Sequence, residues 1–114
     1  MTQDEIVQME AGREMDALVA ELVMGWEKRV FGDGVDYWHL PGGAICELDA
    51  PHYSTDIAAA WQVVEKLPFS VYVEVRWDGK NAEAWFDSGS QTWEASAPTA
   101  PLAICRAALL AVQP

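Results

Sequence analysis

Seven residues from Val71 to Trp77, VYVEVRW, alternate strictly and run straight into Asp78-Gly79-Lys80-Asn81. A period of two puts Val71, Val73, Val75 and Trp77 on one side of an extended chain and Tyr72, Glu74 and Arg76 on the other. The strand reads from Phe69, and the D-G-K-N stretch turns it back on itself as a hairpin. Ala82, Ala84 and Phe86 then alternate with Glu83 and Trp85. Asp87-Ser88-Gly89-Ser90 turns the chain again, and Gln91 to Ala95 supplies a third strand. The result is an antiparallel meander whose valine face needs a cover.

Helices provide that cover. Thr2 with Glu5 three residues on is a capping box, opening a short helix to about Met9. Arg13 to Met24 reads as a second helix, with Met15, Leu18, Val19, Leu22 and Trp26 as its apolar stripe. The stretch PHYSTDIAAAWQVVEKL, Pro51 to Leu67, reads as a third helix. Ser54 or Thr55 is its expected N-cap, Asp56 favours the positive end of the helix dipole, and Pro68 ends it. Ile57, Ala60, Trp61 and Val64 form its expected buried face, with Trp61 on the valines. Thr99 caps a last helix with Pro101 in its first turn. Leu102, Cys105, Leu109 and Val112 are its buried stripe.

Residues 27 to 53 read as irregular, punctuated by Gly32, Gly34, Pro41, Gly42 and Gly43. A connection that long is usually functional, and this one carries Tyr37, Trp38 and His39. At 114 residues the chain is expected to be a single domain, 1–114. The order of elements predicts an α+β fold, specifically a three-layer α-β-α sandwich around a small, mainly antiparallel sheet of three to four strands. In that arrangement the first helix and the long loop cover the second sheet face, which is too aromatic for plain solvent.

The helix-opening YSTDIAAAWQVVEKL (Tyr53 to Leu67), the alternating strands, TAPLAICRAALLAV (Thr99 to Val112) and MDALVAELVMGW (Met15 to Trp26) together resemble the small phage proteins with an ABA sandwich domain. The resemblance spans about two thirds of the chain and leaves Glu27 to Ala50 unmatched. It implies a phage or prophage origin and a three-layer fold. It supplies no catalytic residues.

Charge narrows the partners. Eighteen acids against seven bases give a net charge of −11. Direct binding of a nucleic-acid duplex is therefore not expected, because that rests on Lys and Arg neutralising phosphates. No run approaches the length of a membrane span. The acidic N-terminus lacks the basic start of a signal peptide, so a cytoplasmic protein is expected, in the host cell if phage-encoded. Cys46 and Cys105 are then expected to be free, buried thiols.

Metal and cofactor signatures are missing from the sequence. His39, Cys46, His52 and Cys105 fit no zinc spacing, and neither a P-loop nor a GxGxxG is present. Neither metal nor cofactor is expected. Cys46, His52 and Asp56 assemble on paper into a nucleophile, base and orienter, but both cysteines sit in apolar surroundings, so the reading leans away from an enzyme. Binding is better supported. Six tryptophans are too many for the centre of so small a core. Trp38, His39, His52, Tyr53, Arg76 and Trp85 are the candidate ligand-binding residues: aromatic rings stack on planar ligands, and Arg grips an anion. Arg106 is a weaker candidate that reads as a helix-flank residue.

Three functions follow from this reading. The first is a non-enzymatic phage accessory protein that binds a small anionic or aromatic ligand, such as a nucleotide-derived signal of host defence. The second is an acidic inhibitor that docks on a host or defence protein in the manner of a DNA mimic. The third is a small hydrolase. A homo-oligomer is expected, since some of the surplus aromatics suit a subunit interface.

Overall fold

A computed structural model describes residues 2–30, 34, 36–40, 46–47, 49–67 and 72–113. Helix α1 is Gln3–Gln8 and α2 is Arg13–Leu22; strands β1 (Glu27–Val30), β2 (Asp36–His39) and β3 (Cys46–Glu47) follow. Helix α3 is Ile57–Lys66, strands β4 (Tyr72–Trp77), β5 (Ala82–Asp87) and β6 (Thr92–Ala97) come next, and α4 is Ala100–Ala111. The fold is α+β.

The meander forms as its alternation requires. β5 pairs antiparallel with both β4 and β6, aligning Val75 with Ala84 and Ala84 with Ala95. The β4–β5 turn is closed by Asp78, whose carboxylate accepts the Lys80 and Asn81 N–H groups at 2.8 and 2.7 Å. Gly79 takes a φ of +96°, which a side chain would strain. One sheet face is apolar: Ala82, Ala84, Phe86, Ala95 and Ala97 are buried, and Val73, Val75 and Trp93 pack against them.

Helix α4 lies across that face in contact with all three strands, and α3, α2 and α1 pack on α4. Its central place explains its composition. Leu102, Ile104, Cys105 and Leu109 are buried, and so are Ala103, Ala107 and Ala108 on its remaining sides. Small alanines let neighbouring helices approach closely, which is what a helix buried almost all round requires. Arg106 is the polar exception. It donates to the Met9 carbonyl at 3.1 and 2.9 Å and to the Ser96 carbonyl at 2.9 Å, tying the end of α1 and strand β6 to α4.

Four local expectations are corrected. The N-cap of α3 is Asp56, not Ser54 or Thr55: its carboxylate accepts the Ala58 N–H at 3.0 Å. The buried face of α3 is Ala59, Ala60, Val63 and Leu67, which leaves Ile57 51% and Trp61 49% exposed. This buried face is the one that α3 turns to the core, where it packs on α4. Trp77 keeps the alternation but stands 62% exposed, because it ends the edge strand β4 beyond the reach of the α4 core. Leu22 of the α2 stripe is also exposed, whereas Met15 and Val19 are buried as expected, and Asp16, Ala20 and Val23 are buried beside them.

The stretch expected to be irregular is partly a second antiparallel sheet, in the order β1-β2-β3. Trp38 anchors it, only 4% exposed, with Trp26 edge-on at 6.3 Å between ring centroids. Residues 31–33, 35, 41–45, 48 and 68–71 lie outside the described residues, and with them the start of the strand expected from Phe69.

Candidate functional site

The row Ser54-Thr55-Asp56 divides between two jobs. Asp56 caps α3, whereas Ser54 is fully buried between α2 and the turn that leads into α3. Its Oγ–H donates to Asp16 Oδ1 at 2.6 Å, and its N–H donates to the same oxygen at 2.8 Å. The Gly12 N–H in turn donates to Ser54 Oγ at 3.0 Å. Gly12 holds a φ of +149° at the N-cap of α2, open to glycine and strained for other residues. This buried network fixes the N-terminal end of α2 beside the segment Asp49–His52.

The space that remains is a cleft of about 620 Å³, within the usual range for small-molecule sites. The start of α2 forms one wall with Arg13, Glu14 and Asp16. Lys28, Tyr37 and Trp38 of the small sheet form the second, and Asp49 and His52 the third. Lys28 Nζ stands 5.5 Å from the Trp38 ring centroid, a cation–π contact. Arg13 pairs with Asp49 at 3.6 Å while its side chain stays 94% exposed. Two of the seven Lys and Arg residues and one of the two histidines of this acidic chain thus border one cleft.

A second groove, of about 580 Å³, lies on the outer face of the meander at the β6 side. Val7 of α1 flanks it, and Glu83, Trp85, Glu94, Ser96 and Arg106 line it. Arg76 Cζ stands 3.9 Å from the Trp85 ring centroid, and its Nε is 3.7 Å from Glu74. The Trp85 Nε1–H donates to Glu94. Arg106, the cation of the groove lining, already donates to the Met9 and Ser96 carbonyls, so beside Glu83 and Glu94 the groove offers an anion little.

The six candidates therefore fall into separate places. Trp38 and His52 meet in the first cleft, with Trp38 as packed wall rather than open stacking platform. Tyr53 is wholly buried in the core, and burial foremost, with Cys105 and Asp16 adding to it, pushes its hydroxyl up to about 12. His39 sits on β2 opposite Glu27. There the Arg29 hydrogen bond and charge, followed by a smaller effect of His39, hold the Glu27 carboxyl below its ordinary value. Trp85 lines the second groove, and Arg76 stands over its ring outside that lining. Arg13 and Lys28 were missed by the sequence reading, although they are rare cations that bracket the Trp26 region in the most acidic part of the chain.

Nucleophilic chemistry finds little support among these groups. Cys105 is buried, and burial, with the charge of Asp16, drives its thiol well above the ordinary range, opposite to what a thiolate nucleophile needs. The side chain of Cys46 lies outside the described residues. Among the described residues no group of three or more His, Cys, Asp or Glu is placed to hold a metal ion, and no helix is long and apolar enough to cross a membrane.

Comparison with known proteins adds the lineage. The sequence pattern of the phage ABA sandwich domain matches residues 17–109. A crystal structure of a phage protein from Bacillus cereus ATCC 14579 superposes with a TM-score of 0.66 at 30% sequence identity, covering 90% of this chain and 92% of that one. No curated protein matches the chain.

Proposed function

The chain belongs to the phage ABA sandwich domain family, and from that premise we propose that it is a phage accessory protein that binds a small anionic ligand in the cleft between α2 and the β1-β2-β3 sheet. The observation that carries the reading is the convergence of Arg13, Lys28 and His52 beside Tyr37 and Trp38 in one cleft of ligand size. Arg13 and Lys28 neutralise an anion, and the lining of Ala17, Tyr37 and Ala50 leaves room for a planar group such as a nucleobase. Glu14, Asp16 and Asp49 in the same lining favour a ligand that also carries donors, such as ribose hydroxyls. A nucleotide-derived signal of host defence has that chemistry, and sequestering it needs no catalysis.

The test is calorimetric titration with AMP, ADP-ribose and a cyclic dinucleotide, together with mass spectrometry of small molecules released on denaturation. Binding of one of them, weakened about tenfold or more by Arg13→Ala or Lys28→Ala at unchanged melting temperature, supports the reading; a single charged hydrogen bond is worth about that much. A purified protein that releases nothing and binds none of the three overturns it.

The acidic-inhibitor reading keeps one observation of its own. Asp4, Glu5, Glu10, Glu14 and Glu21 are all exposed along α1, α2 and the bend between them. A partner held by that surface is lost at high salt, whereas one held in the cleft is lost with Lys28→Ala.

A further inference from the structure

We propose that the outer edge of β4 is a homodimer seam, at which two copies pair β4 antiparallel about a two-fold axis through Val75 and join their meanders into one six-stranded sheet. The first support is topological. β4 is an edge of the β4-β5-β6 sheet, and among the described residues no strand pairs with its outer side. An open edge is a template for a further strand.

The second support is which backbone groups face outward. The Asp78 N–H donates to the Asn81 carbonyl at 3.0 Å, which makes that pair a hydrogen-bonded one within the hairpin. Hydrogen-bonded and non-hydrogen-bonded pairs alternate along an antiparallel ladder. Arg76, Glu74 and Tyr72 therefore spend their backbone groups on β5, and Trp77, Val75 and Val73 aim theirs outward. A dyad at Val75 sets Val75 against Val75 of the second copy, and Val73 against Trp77, twice. Every outward N–H and C=O of the strand then finds a partner.

The third support is charge. The same register sets Glu74 opposite Arg76 of the second copy, and Arg76 opposite its Glu74. Shifting the dyad to Glu74 or to Arg76 would instead put like charges face to face, which destabilises a sheet. Charged residues on an edge ordinarily repel foreign strands. Here their opposite signs stand symmetrically about one residue, so the edge selects a copy of itself. The seam also accounts for Trp77, which is 62% exposed on one protomer and would lie over Val73 of the second copy, on the same sheet face.

Sedimentation of the full chain tests the proposal. A species of about 25 kDa, twice the 12.6 kDa chain, is expected. Glu74→Arg and Arg76→Glu should each weaken self-association about tenfold or more, since each replaces two attractions by two repulsions. Mixing the two variants should restore a dimer, because the cations of one then face the anions of the other. Circular dichroism checks that both variants fold. Hydrogen exchange of the unsubstituted protein gives a reading independent of any variant: the amides of Val73, Val75 and Trp77 should slow as chain concentration rises. A monomer at high concentration, a dimer indifferent to both substitutions, a mixture that stays monomeric, or exchange at these amides that ignores concentration each overturns the seam.

Discussion

Ser54 gives both of its donors, hydroxyl and backbone N–H, to a single carboxylate oxygen of Asp16, at 2.6 and 2.8 Å. Both residues are buried. The contact spans 38 positions of sequence and joins the first turn of α2 to the turn before α3. A carboxylate is costly to bury unless its oxygens are hydrogen-bonded, and this geometry supplies two donors to one of them. The cleft wall formed by Arg13, Glu14 and Asp16 is held in place by the same contact.

Asp16→Ala should leave the Ser54 N–H without an acceptor and its hydroxyl only the longer contact to the Gly12 carbonyl at 3.5 Å, and cost about 1–3 kcal/mol for the group left unpaired. Ser54→Ala should cost a similar amount through the orphaned Gly12 N–H and the lost hydroxyl. Because the two residues form one unit, the double variant should cost clearly less than the sum. Urea denaturation measures all three. Additive losses would show that the two residues act independently.

The outward turn of Trp61 sets a second expectation. Trp61→Ala should cost about 1 kcal/mol or less, in the range of surface substitutions and small changes of packing. Phe86→Ala, at a fully buried position of the sheet face, should cost about 3–5 kcal/mol. Denaturation midpoints compare them directly, and a Trp61 variant as damaged as the Phe86 one would place Trp61 in the core after all.

The cap of α3 gives a finer test. Asp56→Ala should lower stability by about 1 kcal/mol, and Thr55→Ala should leave it nearly unchanged. The reverse order, read from melting temperatures, would return the cap to Thr55.

Sequence reveals those parts of this fold in which a short-range period coincides with burial. The meander was legible because Val73, Val75, Ala84 and Phe86 alternate and Asp78-Gly79 closes the turn between them. Helix α4 was legible because apolar positions fill it. The face of α3 was misread because two overlapping faces keep helical spacing: Ile57, Ala60, Trp61 and Val64 form one, Ala59, Ala60, Val63 and Leu67 the other, and only packing on α4 selects between them. The β1-β2-β3 sheet gave no signal, since Glu27–Val30 and Asp36–His39 are short and mostly polar. Asp16 gives no sign of burial in the sequence, because its partner Ser54 lies 38 positions away. The cleft was half visible for the same reason. Trp38 and His52 stood out as residue types, whereas Arg13 and Lys28 acquire meaning only once α2 and β1 face each other.

Tyr53 supplies a pH dependence. Its hydroxyl is raised from 10.0 to about 12 by burial, so the folded state holds that proton more tightly than the unfolded chain does. Stability from this source is fully present below pH 10 and is lost as pH climbs towards 12. Tyr53→Phe removes this contribution. The stability advantage of the unsubstituted protein over Tyr53→Phe should therefore shrink, or reverse further, across that window. Denaturation at several alkaline pH values measures the difference. Curves that stay parallel from pH 9 to about 12 would mean that Tyr53 ionises freely in the folded protein.

The Trp26–Trp38 pair separates support from contact in the cleft. Their edge-on geometry, 6.3 Å between centroids at 63°, is of the kind worth about 0.5–1.5 kcal/mol beyond area burial. Trp26→Leu and Trp38→Leu should each destabilise the protein, and a double-mutant cycle should show coupling in that range. Trp38→Ala should go further, by about 3–5 kcal/mol, because it empties the anchor of the small sheet. Any loss of ligand in that variant then reports lost structure rather than a lost contact. Lys28→Ala is the cleaner probe, since it leaves both rings in place and removes the cation beside Trp38. If the cleft binds an anion, Lys28→Ala should lose affinity at constant stability, and Trp38→Ala should lose both. A Lys28→Ala protein that unfolds as readily as Trp38→Ala would show that the cation–π contact holds the sheet together, and it would remove Lys28 from the ligand site.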